Sequence, residues 1–318
     1  MRLRYGPNGS RRQQRNGNGM KEIVVISGKG GTGKTSMVAS FAALADKKVL
    51  ADCDVDAADL HLVLNPRIEC REDFSGGKKA EIIEDKCIAC NRCIEECRFD
   101  AISYPASEEV GIPSINPIFC EGCGVCVRVC PVEAASFEPV VNGTWYVSST
   151  NYGPMVHARL GIAEGNSGKL VTQIRREARD IALREGLDYV IIDGSPGIGC
   201  PVIASITGSD LVLVVTEPTL SGRHDLQRVA ALTKQFRIPT IVCVNKWDLN
   251  ADITEQIEKE AGTYGVEAAG RIRYDTAITK AQIMKTSVIE YTDTAVSDDV
   301  RDVWHNVLRT LGEKGTAA

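Results

Sequence analysis

The chain has 318 residues, 43% hydrophobic and 25% charged, a formal net charge of −5 and twelve cysteines. That length buries one large core with room for a small satellite, and no run approaches the roughly 18 apolar residues a bilayer span needs, which excludes membrane insertion and leaves a cytoplasmic protein as the expectation. Residues 1–19 hold five arginines and no acid, so residues 20–318 carry 32 basic against 42 acidic residues, a poor balance for neutralising nucleic-acid phosphates, and no nucleic-acid partner is expected.

In chain order, residues 1–19 are rich in Arg, Gly, Asn and Gln; they lack the apolar side chains for a core and read as a disordered basic tail. A strand is expected at Glu22–Ser27 directly afterwards, which makes Met20 an alternative start. Between that strand and a helical stretch lies SGKGGTGKTS, from Ser27 to Ser36. This is the context of a Walker A loop. Gly28, Gly30, Gly31 and Gly33 let backbone N–H groups crowd around phosphate oxygens, with Thr32 and Ser36 in the same loop. Lys34 reaches the β and γ phosphates and Thr35 the magnesium ion. A second strand, Lys48–Asp52, ends in VLADCDVD, which places Asp52 and Asp54 at a strand C-terminus, where ligands of open α/β sheets gather.

From residue 74 to residue 139 the strand–helix rhythm stops, and prolines and cysteines take over. Cys87, Cys90, Cys93 and Cys97 are spaced two, two and three residues apart, and Cys120, Cys123, Cys126 and Cys130 repeat the pattern 33 positions later. In a reducing compartment such clusters indicate metal. Zinc and disulfides are the alternatives, and neither explains two matching triplets each with a trailing fourth cysteine. The segment reads as an inserted small domain between two parts of one larger domain, residues 20–73 and 140–318.

Beyond it, strands are expected at residues 158–163, 189–193, 211–216 and 240–245, with helices at 169–184 and 220–236. The short continuous apolar runs suit a mostly parallel, doubly wound α/β sheet covered on both faces. Asp193 ends DYVIID, with the orientation of a magnesium-binding Walker B acid. Asn245, Lys246 and Asp248 in VNKWD match the N-K-x-D by which many GTPases read guanine, and also suit a strand-end asparagine on adenine. The stripe Val300, Val303, Trp304, Val307, Leu308 and Leu311 lacks a basic polar face and reads as core. Cys53, Cys70 and Cys243 are taken as structural, and His61, His157, His224 and His305 show no ligand spacing.

GKGGTGKT, with its additional Lys29, resembles the deviant Walker A of the MinD/ParA/Mrp and nitrogenase iron protein superfamily of P-loop ATPases, and the cysteine runs are similar to bacterial-type ferredoxins. The first resemblance implies ATP with Mg2+ and a homodimer in which Lys29 reaches the partner's nucleotide. It also implies a switch acid that positions or activates water, with Asp54 the first choice and Asp52 the second. Asn245 then meets adenine, and ATP is favoured over GTP. The ferredoxin resemblance implies two [4Fe-4S] clusters with exchanged fourth ligands: Cys87, Cys90, Cys93 and Cys130 for one, and Cys120, Cys123, Cys126 and Cys97 for the other. Arg98 departs from the proline that follows Cys130. Cys200 lies seven residues after Asp193, near the offset of a cluster-ligating cysteine in the nitrogenase iron protein, and is a candidate interface thiol; a small buried thiol is the alternative. The second cysteine of that pair is missing, since EGNSGK offers Asn166. The expected function is ATP hydrolysis coupled to electron transfer or metallocluster assembly with a protein partner. The alternative is a spatial organiser resembling MinD or ParA that uses the insert as sensor or docking module.

Overall fold

The computed structural model describes residues 19–105, 111–161 and 167–312. The basic tail up to Asn18, and Asn166, lie outside the described residues. The chain opens with β1 (Lys21–Ile26), α1 (Lys34–Leu44), β2 (Lys48–Asp52), α2 (Leu60–Leu64) and β3 (Arg67–Phe74). It then runs through β4 (Gly77–Ile82), α3 (Arg92–Glu95), β5 (Ile102–Ser103), β6 (Ser114–Ile115), α4 (Val125–Val129) and β7 (Ala135–Val140). Strands β8 (Gly143–Thr150) and β9 (Gly153–Leu160) form a hairpin, followed by α5 (Ser167–Glu185), β10 (Tyr189–Asp193), α6 (Cys200–Ile206) and β11 (Leu211–Thr216). The last part holds α7 (Leu220–Gln235), β12 (Thr240–Asn245), α8 (Ala251–Tyr264), β13 (Glu267–Ile272), α9 (Thr276–Ile283), α10 (Val288–Tyr291) and α11 (Ala295–Thr310).

Nine strands form one sheet in the order β13-β12-β11-β1-β10-β2-β9-β8-β3. Pairing is parallel from β13 to β9 and antiparallel through β8 and β3. Strand β1 is the middle one of the seven parallel strands and feeds both faces, as the period of two requires. Its Val24 and Ile26 pack in a core with residues of α5, α6, α7 and α8. Its Ile23 and Val25 join a second core with residues of α1 and α11. The C-terminal stripe is part of that second core: Val300, Val303, Trp304 and Val307 are buried, with the Trp304 ring 4.8 Å from Phe41. Thr294 and Ser297 form a capping box that starts this helix.

The strand expected at 158–163 begins earlier and, among the described residues, ends at Leu160; residues 162–163 lie outside them. Strand β9 starts at Gly153 because Thr150 closes a tight turn, donating to the Gly153 carbonyl (2.8 Å) and accepting from the Tyr152 N–H (3.0 Å). The last strand of the sheet, β3, is exposed along all but its final residue, and its sequence RIECREDF has no apolar alternation to announce it. Cys70 lies on that strand and is exposed, so it is no core thiol; Cys53 and Cys243 are fully buried.

After Phe74 the chain leaves the large sheet, and it rejoins it at Gly143. In between, β4 pairs with β7 and β5 with β6 in two antiparallel ribbons. The 33-residue repeat of the sequence is a backbone repeat as well. Ala89, Asn91 and Asp100 hold positive φ (53°, 61° and 50°), and Gly122, Gly124 and Glu133, each 33 positions on, do the same (63°, 72° and 53°).

Candidate functional site

The loop from Ser27 to Gly33 leaves the C-terminal end of the central strand and turns into α1 at Lys34. Gly31 and Gly33 hold φ of 80° and 91°, which glycine adopts without strain. A Cβ at Gly33 would stand 2.4 Å from Asn245 Nδ2, and one at Gly28 would stand 2.1 Å from the Asp225 Cβ, so neither position has room for a side chain. Asn245, at the end of β12, donates to the Thr32 carbonyl (2.8 Å) and ties that strand, two places from β1, to the loop. Ser36 accepts from Gln282 on α9 (2.7 Å).

Two acids reach the loop, Asp193 at the end of β10 and Asp54 just beyond β2. Lys34 Nζ lies 2.7 Å from Asp193 Oδ1 and 3.0 Å from Asp54 Oδ2, and the Thr35 hydroxyl donates to Asp193 Oδ2 (2.8 Å). Lys34 and Asp193 are almost fully buried. Burial alone would lower the Lys34 pKa; the charges of Asp193 and Asp54 outweigh it and raise the pKa above the usual lysine value. Burial raises the Asp54 carboxyl, against the pull of Lys34. Asp52 is different: its oxygens accept the backbone N–H groups of Asp54 and Leu60, both at 3.2 Å, and burial and the Asp193 charge push its pKa well above the carboxylate norm. Asp54 points its carboxylate at the P-loop lysine, while Asp52 ties the start of α2 to the end of β2.

On the far side of the loop, Glu217 lies just beyond β11 with one carboxylate oxygen 2.6 Å from Lys246 Nζ and the other 3.5 Å from Lys29 Nζ. Asp248 Oδ1 accepts the backbone N–H of Tyr274 (2.7 Å).

In the insert, each cysteine run wraps into a short loop and helix. One pocket is lined by Cys87, Cys90, Cys93 and Cys130, together with Ile88, Pro113 and Val132. The other is lined by Cys120, Cys123, Cys126 and Cys97, with Phe99, Ile102 and Ile115. Each pocket thus draws three thiols from one run and the fourth from the other. All eight thiols are free. Backbone N–H groups already point at sulfur, as from Ala89 to Cys87 (3.5 Å) and from Ala134 to Cys130 (3.1 Å). For Cys130 burial would raise the pKa, but the N–H groups of Val132 and Ala134 outweigh it and lower it. Among the described residues no three His, Cys, Asp or Glu side chains are placed to share one metal ion. Two apolar pockets, each with four spaced soft donors and N–H groups directed at sulfur, fit an iron–sulfur cube.

The model of the CobQ/CobB/MinD/ParA nucleotide-binding domain matches residues 23–288. The chain belongs to this family. Uncharacterized protein MJ0578 of Methanocaldococcus jannaschii is 35% identical over 240 residues, 72% of this chain and 79% of that one. The iron-sulfur cluster carrier protein of Pyrococcus abyssi is 22% identical over 92% of this chain and 87% of its own. Ferredoxin-3 of Nostoc is 32% identical over 84% of its own length and 20% of this chain. The MinD of Pyrococcus horikoshii, solved with Mg-ADP, superposes with a TM-score of 0.56 at 15% identity, covering 94% of this chain and all of that one. The fold is therefore the MinD/ParA P-loop fold, and the chain is a MinD/ParA-type ATPase with relatives among iron–sulfur proteins.

As a family member the chain brings Lys29, Lys34, Thr35, Asp54, Asp193, Asn245 and Lys246 to one end of the sheet. Cys200 stands apart. It is exposed at the first position of α6, where Gly168 of α5 packs against it, so the alternative of a small buried thiol does not hold. Sequence reasoning missed Glu217, a single acid in TEPT whose partners lie 188 and 29 positions away. It also separated His61 from His157, whose rings stack with centroids 6.2 Å apart. Among the described residues no helix is long and apolar enough to cross a membrane.

Proposed function

We propose that this family member hydrolyses ATP as a nucleotide-dependent homodimer, and that its nucleotide state governs electron or cluster exchange between two [4Fe-4S] clusters and a partner protein. The observation that carries the reading is the pair of crosswise cysteine pockets, in an insert that begins a short distance along the chain from Asp54. Cys87, Cys90, Cys93 and Cys130 hold one cluster; Cys120, Cys123, Cys126 and Cys97 hold the other. Such clusters supply one-electron chemistry or are themselves passed on.

At the nucleotide site, Lys34 leaves its two carboxylates to reach the β and γ phosphates. Gly28, Gly30, Gly31, Thr32, Gly33 and Ser36 turn backbone N–H groups toward those phosphates. Thr35 and Asp193 are the donors for Mg2+, which neutralises phosphate charge. Asp54, released from Lys34, orients the attacking water, whereas Asp52 keeps its backbone partners and holds α2 in register with the loop. Asn245 and Lys246 flank the base. ATP rather than GTP is favoured because Asp248, the N-K-x-D acid that would read guanine, already accepts the Tyr274 N–H. Lys29 exchanges Glu217 for the partner's nucleotide.

A γ-phosphate can order switch segments that hydrolysis releases. The segment after Asp54 leads through α2 and β3 into the insert. The opposite route runs from Asp193 through α6, which packs on α5; there Lys169 donates to the Gly76 carbonyl at the entrance to the insert (2.7 Å).

Anaerobic purification with iron counting and EPR, repeated with ATP and with ADP, tests the reading. About eight iron atoms per chain are expected, and ATP should favour the dimer and shift the cluster potential or partner binding relative to ADP. Identical dimerisation, potential and partner binding in the two nucleotides would sink the coupling. Loss of iron to an apo-acceptor separates clusters in transit from resident ones.

A further inference from the structure

Where the insert joins the sheet, the strands β4 and β7, the second cysteine run and the first turn of α5 enclose an open cleft of about 500 Å³. That lies within the size range of small-molecule sites. Its floor is the double crossing of the chain, fixed by the Gly76 N–H on Asn142 Oδ1 (2.9 Å) and by Lys169 on the Gly76 carbonyl. Among the described residues Lys78 and Lys169 bring two ammonium groups to its lining and Glu121 the one carboxylate. This local excess runs against a body that is acidic over residues 20–318. The remaining wall is apolar, from Ile118, Phe137, Pro139 and Val140, and the Lys78 ammonium stands over the Phe137 ring at 5.4 Å. Cations beside an apolar wall select a ligand with both characters.

Cys120 lines this cleft and also the pocket of the second cysteine set. Gly122 presses so closely on β4 that a Cβ there would stand 2.1 Å from the Lys78 carbonyl. A molecule in the cleft therefore touches the same backbone that carries three of those thiols. None of the residues lining the other cysteine pocket borders the cleft.

We infer that the cleft is a binding site for a small organic anion, an apolar body bearing carboxylate, sulfonate or phosphate groups, and that its occupancy is felt by the cluster of Cys97, Cys120, Cys123 and Cys126 and not by the other. The second half of the inference rests on the proposed clusters; the first does not.

The probe is naphthalene-2,6-disulfonate, a redox-inert dianion, titrated calorimetrically into the anaerobically purified full chain, with neutral naphthalene-2,6-dimethanol and inorganic sulfate as comparisons. The disulfonate should bind more tightly than either. Affinity should fall about three- to fivefold in Lys78→Gln, the range for one partly exposed ion pair, and more in Val140→Trp, which fills the cleft. Lys86→Gln, at the exposed outer end of the insert, should leave it unchanged. The probe should alter one of two reduced-state EPR signals, and Cys97→Ser should abolish that response. Equal affinity in all variants, or binding by the neutral compound as tight as by the dianion, would refute the site. Binding that follows the predicted pattern in protein without iron would uphold the cleft and refute the clusters.

Discussion

Replacing Lys34 by methionine removes the cation that stands between two carboxylates. In the folded protein its ammonium lies 2.7 Å from Asp193 and 3.0 Å from Asp54, with Asp193 and Lys34 almost wholly buried. Truncating one member of a buried ion pair costs about 3–5 kcal/mol, because the remaining charge keeps its desolvation cost and loses its partner. Here two like charges remain, so the upper part of that range is expected at pH 7 in EDTA. The sign of the pH dependence follows from the carboxylates. Burial already holds the Asp54 carboxyl above its unfolded value, and loss of Lys34 raises it further, so the folded state binds the extra proton first and the variant gains stability relative to wild type as the pH falls toward 5. Adding Asp193→Asn should recover about half of the loss without restoring nucleotide binding. Urea unfolding midpoints at pH 7 and pH 5, for wild type and both variants, measure the stabilities, and ATP titration measures the binding. A cost below about 1 kcal/mol at pH 7, or one independent of pH, would show that the pair is screened by water and that the reasoning from burial is wrong.

The crossed cysteine sets make a prediction that iron counting decides: Cys87→Ser with Cys130→Ser should leave about four irons, whereas Cys87→Ser with Cys97→Ser should leave almost none. The reverse result would assign each run its own cluster. Glu217→Gln frees Lys29 and Lys246, and light scattering should detect the dimer at about two- to fivefold lower ATP, the worth of one partly exposed ion pair; Lys29→Ala should abolish the dimer, and no shift in Glu217→Gln would remove Glu217 from the account. His157 is buried, its Nε2 2.9 Å from the Ser148 hydroxyl, and burial together with neighbouring His61 lowers its pKa to about 4. Being neutral in the fold and chargeable once unfolded, it should cost about 2 kcal/mol of stability between pH 7 and pH 5, and His157→Phe should remove that share of the acid sensitivity.

Much of the nucleotide end was legible because its signals are local. Glycines, Lys34 and Thr35 lie within one loop, and Asp193 and Asn245 each end an apolar run whose burial fixes the direction of its last side chain. The resemblance ranked Asp54 before Asp52, but the difference in their partners was not legible, since the two acids lie two residues apart at the end of one strand. It depends on which carboxylate the first turn of α2 captures, and that turn is set by packing. The antiparallel edge was missed for a related reason: β3 buries almost nothing, so no hydrophobic period records it, and only its partner β8 makes it a strand.

The sequence by itself determined the P-loop, the mostly parallel sheet implied by its apolar runs, and the two cysteine triplets, because each is written in neighbouring residues whose spacing is the chemistry. Tertiary structure alone decided that Glu217 gathers Lys29 and Lys246, that His61 meets His157, and that Cys120 borders a basic cleft. Those groups are separated by tens to hundreds of residues, and only the sheet order and the return of the insert onto β4 bring them within bonding distance.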